Sequence, residues 1–136
     1  MNNRPVYLAA GGTGGHIFPA LAVAETLQNR GYQAHLFTDR RGDNLLKGAP
    51  WLPAKISVIA AASPYQQGTI KRALAVAKLT LSAVASLYHL LIRRPALIIG
   101  FGGYPSFAPL LAGRLLGIPI LLHEQNAFLG LSLIHI

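Results

Sequence analysis

Three short segments hold the residue types from which a site can be built. The first, Gly11-Gly12-Thr13-Gly14-Gly15-His16, follows the apolar run Val6–Ala10 and precedes a stretch with helical periodicity. Glycines let the backbone approach a ligand with no Cβ in the way. The free N–H groups of the following helix point at the same place, and its dipole favours negative charge. The segment reads as a cradle for a phosphate or pyrophosphate; the plainer alternative is a tight turn that needs small residues. It is not the dinucleotide fingerprint, because the position three after Gly14 is Ile17, and it is not a Walker A loop, because no Gly-Lys-Ser/Thr follows. His16 closes it with an imidazole, a group that titrates in the range a general base needs. The alternative for His16 is a helix-start residue bonded to backbone.

The second segment, Gly100-Phe101-Gly102-Gly103-Tyr104-Pro105-Ser106, repeats the device after another apolar run. Two such loops on one sheet edge fit an extended phosphate group. Ser106 is also a candidate helix cap. The third, His123-Glu124-Gln125-Asn126, places four polar side chains directly after the apolar run 118–122. Hydrogen-bonding heads of this kind suit sugar or nucleotide recognition, although turn polarity explains them too. The acidic inventory is Glu25, Asp39, Asp43 and Glu124 against twelve Lys and Arg, a net charge of +8. A carboxylate-rich metal cage is not expected from so few acids. The cationic excess favours an anionic partner: nucleic acid, an acidic membrane or a phosphorylated ligand.

The elements that must position these segments alternate. Strands are expected at Val6–Ala10, Ala34–Thr38 and residues 55–60, 96–100 and 118–123. Helices are expected at residues 16–30, closed by Gly31, 71–92, ended by Pro95, and 106–116, closed by Gly117. Residues 39–53 read as loop with at most one helical turn. Apolar strands separated by helices imply an α/β fold, a Rossmann-like, doubly wound parallel sheet. Ligands of such sheets bind outside the carboxyl ends of the strands, where all three segments fall together with Asp39–Gly42 and residues 61–68. The 136 residues suffice for one domain, 52% of them are hydrophobic, and there is no cysteine for a disulfide or thiolate site. The run Val6–Ala10 is too short for a signal peptide, which points to a cytoplasmic location.

Together these segments resemble the MurG family of glycosyltransferases. The resemblance lies in residues 11–19 (GGTGGHIFP), Ala22-Val23-Ala24, Gly102-Gly103-Tyr104, Pro119 and His123-Glu124-Gln125-Asn126, and it runs from about Val6 to Gly130. It implies the N-terminal, acceptor-binding half of a GT-B enzyme. That enzyme is an inverting, metal-independent and cofactor-free hexosyltransferase. It moves N-acetylglucosamine from UDP-N-acetylglucosamine to the C4 hydroxyl of undecaprenyl-pyrophosphoryl-N-acetylmuramyl-pentapeptide, converting lipid I to lipid II in peptidoglycan synthesis. The resemblance further implies Thr13, Gly14, Gly15 and Asn126 as donor-binding residues, and Gly14, Gly15, Gly102, Gly103 and Tyr104 as the seat of the acceptor pyrophosphate. His16 is the implied base, with Glu124 as the competing candidate.

Residues 69–94 join a basic rim to an apolar body. Lys71, Arg72 and Lys78 stand near one end and Arg93 and Arg94 at the other; between Lys78 and Arg93 the only polar residues are Thr80, Ser82, Ser86, Tyr88 and His89. A membrane span is conceivable at this length, but the neighbouring strand patterns favour a helix on a sheet with a cationic edge, suited to an anionic bilayer surface. The resemblance implies membrane contact at Lys71, Arg72, Leu74 and Lys78, on the cytoplasmic face of the bacterial inner membrane. Residues 131–136 depart from the family and read as a non-native tail; with the donor domain absent, residues 1–130 alone are expected to be inactive. Two other classes compete. One is a dinucleotide-dependent oxidoreductase half, with Asp39 on the ribose. The other is a non-catalytic membrane-binding or nucleotide-binding Rossmann module. Nucleic acid is not an expected partner, because the aromatics do not interleave with the basic residues.

Overall fold

A computed structural model describes residues 4–47, 55–61 and 68–124. Along them run β1 (Val6–Ala10), α1 (Gly14–Asn29), β2 (Ala34–Thr38), α2 (Arg40–Leu46), β3 (Lys55–Val58), α3 (Thr69–Arg93), β4 (Leu97–Gly102), α4 (Tyr104–Leu115) and β5 (Ile120–Leu122). The strands form one parallel sheet in the order β3-β2-β1-β4-β5. This is the order of a Rossmann half, and its topological switch point falls between β1 and β4.

Side chains alternate across β1, so its two faces build two cores. Val6, Leu8 and Ala10 pack with Leu36, Ile99 and Phe101 under Ile17, Ala20, Leu21 and Ala24 of α1. Tyr7 and Ala9 pack on the other face with Phe37 and Ile98 under Leu90 of α3 and Leu110 and Ala112 of α4. Helices therefore cover both faces, as the fully buried pattern of β1 requires.

Several boundaries differ from the expectation, each for a local reason. Residues 40–46 form a helix of two turns rather than at most one, because the Asp39 carboxylate accepts from Gly42 N–H at 3.0 Å and caps it. Helix α4 begins at Tyr104 rather than at 106. Gly103 is its cap residue and Pro105 occupies the first turn, where a missing N–H costs nothing. Ser106 is thus inside the helix, donating from Oγ back to the Gly103 carbonyl at 2.7 Å. Strand β5 starts only at Ile120, since Pro119 has no N–H to offer the ladder. Gly31 and Gly117 do end their helices, at φ +81 and +66.

Helix α3 has its polarity reversed. Ala75, Ser82, Ser86 and Leu90 face inward, and Ser82 Oγ donates to the Ala60 carbonyl. Ile70, Leu74, Leu81, Val84, Tyr88 and Ile92 are more than half exposed. At 3.6 residues per turn they form one stripe on the side away from the sheet. By length and composition α3 could cross a bilayer, yet in this fold it connects two strands of the sheet and packs along α4 and Tyr7.

Candidate functional site

The loops after β1 and β4 meet at the switch point. Their contact is so close that only glycine fits. A Cβ on Gly103, at φ +80, would run into the Gly11 carbonyl, and one on Gly11 would strike Pro105 and the Asp39 carboxylate. Gly102, at φ +97, lies against the His16 ring, where a Cβ would come within 2.8 Å of Cδ2. The ladder between β1 and β4 shifts register at Ala9/Ala10, so Ala10 pairs with Gly102 and this last residue is swung toward the first loop.

Thr13 is the cap residue of α1, but its hydroxyl makes no capping bond to the helix. It pairs instead with His16 Nδ1 at 3.0 Å. Two consequences follow. The imidazole is oriented by a neighbour, with Nε2 left for a ligand. The N–H groups of the first turn, Gly14 and Gly15 among them, are left without a side-chain cap and can serve an anion. Helix α4 opens the same way, since Gly103 offers no capping side chain. A cleft of about 480 Å³ joins these parts, lined by Gly11, Gly12, Thr13, His16, Asp39, Arg41, Ala61, Lys78, Gly103, Tyr104 and Pro105.

Of the residues expected in the site, Thr13, His16, Gly103 and Tyr104 line one cleft; Gly14 and Gly15 open α1 beside it, and Gly102 ends β4 against the His16 ring. Glu124 is half-buried just after β5, next to His123, whose N–H bonds the Gly100 carbonyl at 2.8 Å and whose ring lies 5.2 Å from Phe101. Asn126, with Gln125 and residues 131–136, lies outside the described residues. Lys71, Arg72 and Leu74 are exposed on the first turns of α3. Lys78, grouped with them in the sequence, lines the cleft. Asp39, directly after β2, also lines this cleft. Its Oδ1 accepts from Gly12 N–H at 3.1 Å as well as from Gly42, tying the glycine loop to α2. That carboxylate is engaged by backbone, which weakens the ribose role weighed for it. An acid directly after a strand and three residues before glycine was the available signal. Arg41 follows β2 at the carboxyl edge of the sheet, where ligands of such folds bind.

No group of three or more metal-binding side chains occurs among the described residues. The shifted titrating groups lie elsewhere. At the amino end of the strands, Tyr7 stacks on His35 at 4.6 Å, and its hydroxyl pairs with His89 Nε2 at 2.9 Å. Burial pushes Tyr7 up to about 12, against a weaker opposing effect of Arg93. Burial, then His89, Arg93 and Lys55, push His35 down to about 4. His89 is lowered by burial and Arg93.

Residues 6–133 match the glycosyltransferase family 28 N-terminal domain. A UDP-N-acetylglucosamine–N-acetylmuramyl-(pentapeptide) pyrophosphoryl-undecaprenol N-acetylglucosamine transferase from Methylobacterium radiotolerans is 46% identical over 92% of this chain and 33% of its own length. One of the same name from Agrobacterium fabrum is 44% identical over 96% of this chain and 34% of its own. The chain thus spans about a third of the curated relatives it matches. Among solved structures, Acinetobacter baumannii MurG superposes with a TM-score of 0.80 at 35% identity, covering 97% of this chain and 38% of that one. The calicheamicin glycosyltransferase CalG4 superposes at 0.63 over 96% of this chain and 34% of its own, and at 17% identity it speaks for the fold alone. The α/β architecture read from the sequence is the one these glycosyltransferases share, and the chain belongs to the glycosyltransferase family 28 N-terminal domain family.

Proposed function

We propose that this chain is the acceptor side of an N-acetylglucosaminyltransferase acting on a membrane-linked muramyl-peptide diphosphate, with UDP-N-acetylglucosamine as donor. The observation that carries the reading is the convergence of two uncapped helix starts, α1 and α4, on one cleft that also holds His16. Hydrogen-bond donors and helix dipoles there suit a diphosphate. The imidazole suits removal of the proton from an attacking sugar hydroxyl. Attack of that hydroxyl on the anomeric carbon forms the new glycosidic bond, breaks the bond to UDP and inverts the configuration; His16 takes the proton, and backbone donors stabilise the departing phosphate charge. Asn126 and the first glycine loop would contribute to the donor, whose remaining contacts would come from the part of the relatives that this chain does not span.

The same reading places the chain at the cytoplasmic face of the inner membrane, peripherally. Supporting it are the outward apolar stripe of α3 and the cations Lys71 and Arg72 beside Leu74. An apolar face flanked by cations binds anionic bilayers more strongly than neutral ones. The test of the transfer reading is His16→Ala in a full-length transferase carrying this half. Loss of general-base help lowers kcat by about 10²–10⁴-fold, and unchanged turnover would remove His16 from the chemistry. If turnover survives, Glu124→Gln in the same enzyme tests the competing base.

A further inference from the structure

Two clefts meet beside the glycine loops. The one holding His16 adjoins another, of about 580 Å³, that runs between α2 and the carboxyl end of β3 past Arg40, Asn44 and Val58. Asp39, Arg41, Ala61 and Lys78 line both. Arg41 from α2 and Lys78 from α3 therefore stand at the junction, on opposite elements. Both are exposed, and among the described residues neither makes an ion pair. The carboxylate beside them, Asp39, is already engaged by the N–H groups of Gly12 and Gly42. The junction is cationic without an internal partner.

Lys78 also lies on the helix whose outer stripe is apolar, between Leu74 and Leu81 in sequence. A ligand with an apolar tail on that stripe and its polar end at the glycine loops would have this lysine beside its polar end. We infer that Arg41 and Lys78 are the cations that hold the diphosphate of a tailed acceptor as it enters the cleft. This rests on the acceptor-side reading above and adds the residues that select a diphosphate. The charge balance favours added cations. A diphosphate diester carries two full negative charges, whereas each helix start offers about half a positive charge. The two helix starts leave about one charge unmatched, and Arg41 and Lys78, with two positive charges between them, more than cover it, the guanidinium by a forked pair of donors and the ammonium as a point charge.

The test is calorimetric titration of this chain with geranyl diphosphate, geranyl monophosphate, geraniol and inorganic pyrophosphate, with no vesicles present. Geranyl diphosphate is expected to bind more tightly than the monophosphate and than pyrophosphate, and geraniol not at all. Arg41→Gln and Lys78→Gln should each weaken diphosphate binding roughly five- to twentyfold, whereas Lys78→Arg stays within about threefold and Arg41→Lys, which keeps the charge but loses the fork, falls between the two. The melting temperature should not change in any of them, because both side chains are exposed. If the two Gln variants bind like the parent, the proposal is overturned while the glycine-loop reading stands. If the parent itself does not prefer the diphosphate over geraniol, both fail. Equal affinity for pyrophosphate and geranyl diphosphate overturns the tailed ligand and leaves a free-phosphate site.

Discussion

Replacing Asp39 by alanine tests how the first glycine loop is held. The carboxylate does two things from one oxygen: it caps α2 through Gly42 N–H at 3.0 Å and restrains the loop through Gly12 N–H at 3.1 Å. Losing a helix N-cap costs about 1 kcal/mol. Losing a hydrogen bond to a charged acceptor costs roughly 1.5–3 kcal/mol when the site is partly buried. The two share an oxygen and are not fully additive, so Asp39→Ala is expected to destabilise by about 2–4 kcal/mol. With a urea slope of about 2 kcal/mol/M, the unfolding midpoint falls by roughly 1–2 M. Asp39→Asn keeps one acceptor oxygen and should lose no more than about half as much. The assay is urea unfolding followed by far-ultraviolet circular dichroism. A shift corresponding to less than about 0.5 kcal/mol for Asp39→Ala would refute the reasoning, because the loop would then be held by something other than this carboxylate.

The glycines separate conformation from contact. Gly31→Ala, at φ +81 in open space, should cost about 1 kcal/mol, whereas Gly103→Ala, at φ +80 against the Gly11 carbonyl, should cost more and also abolish diphosphate binding; equal losses in thermal unfolding would deny the loop contact. His35 titrates near 4 in the fold against 6.5 when unfolded, so between these values the unfolded chain takes up a proton that the folded chain refuses. Stability therefore falls as pH drops from 6.5 toward 4, with His89 acting in the same direction, and His35→Gln should flatten that slope in urea titrations at successive pH values. Leu81→Asp, at a side chain 67% exposed, should leave melting unchanged while cutting sedimentation with anionic vesicles several-fold; undiminished sedimentation would remove α3 from the membrane surface.

Strand and helix order was legible because β1, β2 and β4 are buried apolar runs closed by glycine or by a polar residue, and because Gly31 and Gly117 terminate helices in the left-handed region as sequence chemistry requires. The two glycine loops were legible for the same reason: glycine at fixed places after a strand has few other uses. What stayed hidden was tertiary. The cap of α2 is local, but the second bond of Asp39, from Gly12 N–H, joins residues distant in sequence. Lys78 reads as one of a row of cations along α3, and only the tertiary fold brings it to a cleft shared with α2 and the end of β3. The inward serines of α3 defeat an amphipathic reading, since Ser82 and Ser86 face the protein and the leucines face out.

The most direct test of the acceptor-side account is equilibrium binding of a water-soluble, short-chain prenyl-diphosphoryl-N-acetylmuramyl-pentapeptide to this chain, with NAD as the competing ligand class. Saturable binding of the acceptor analogue, weakened by Gly103→Ala and unaffected by NAD, is the predicted result. Binding of NAD with no affinity for the acceptor analogue would contradict the account.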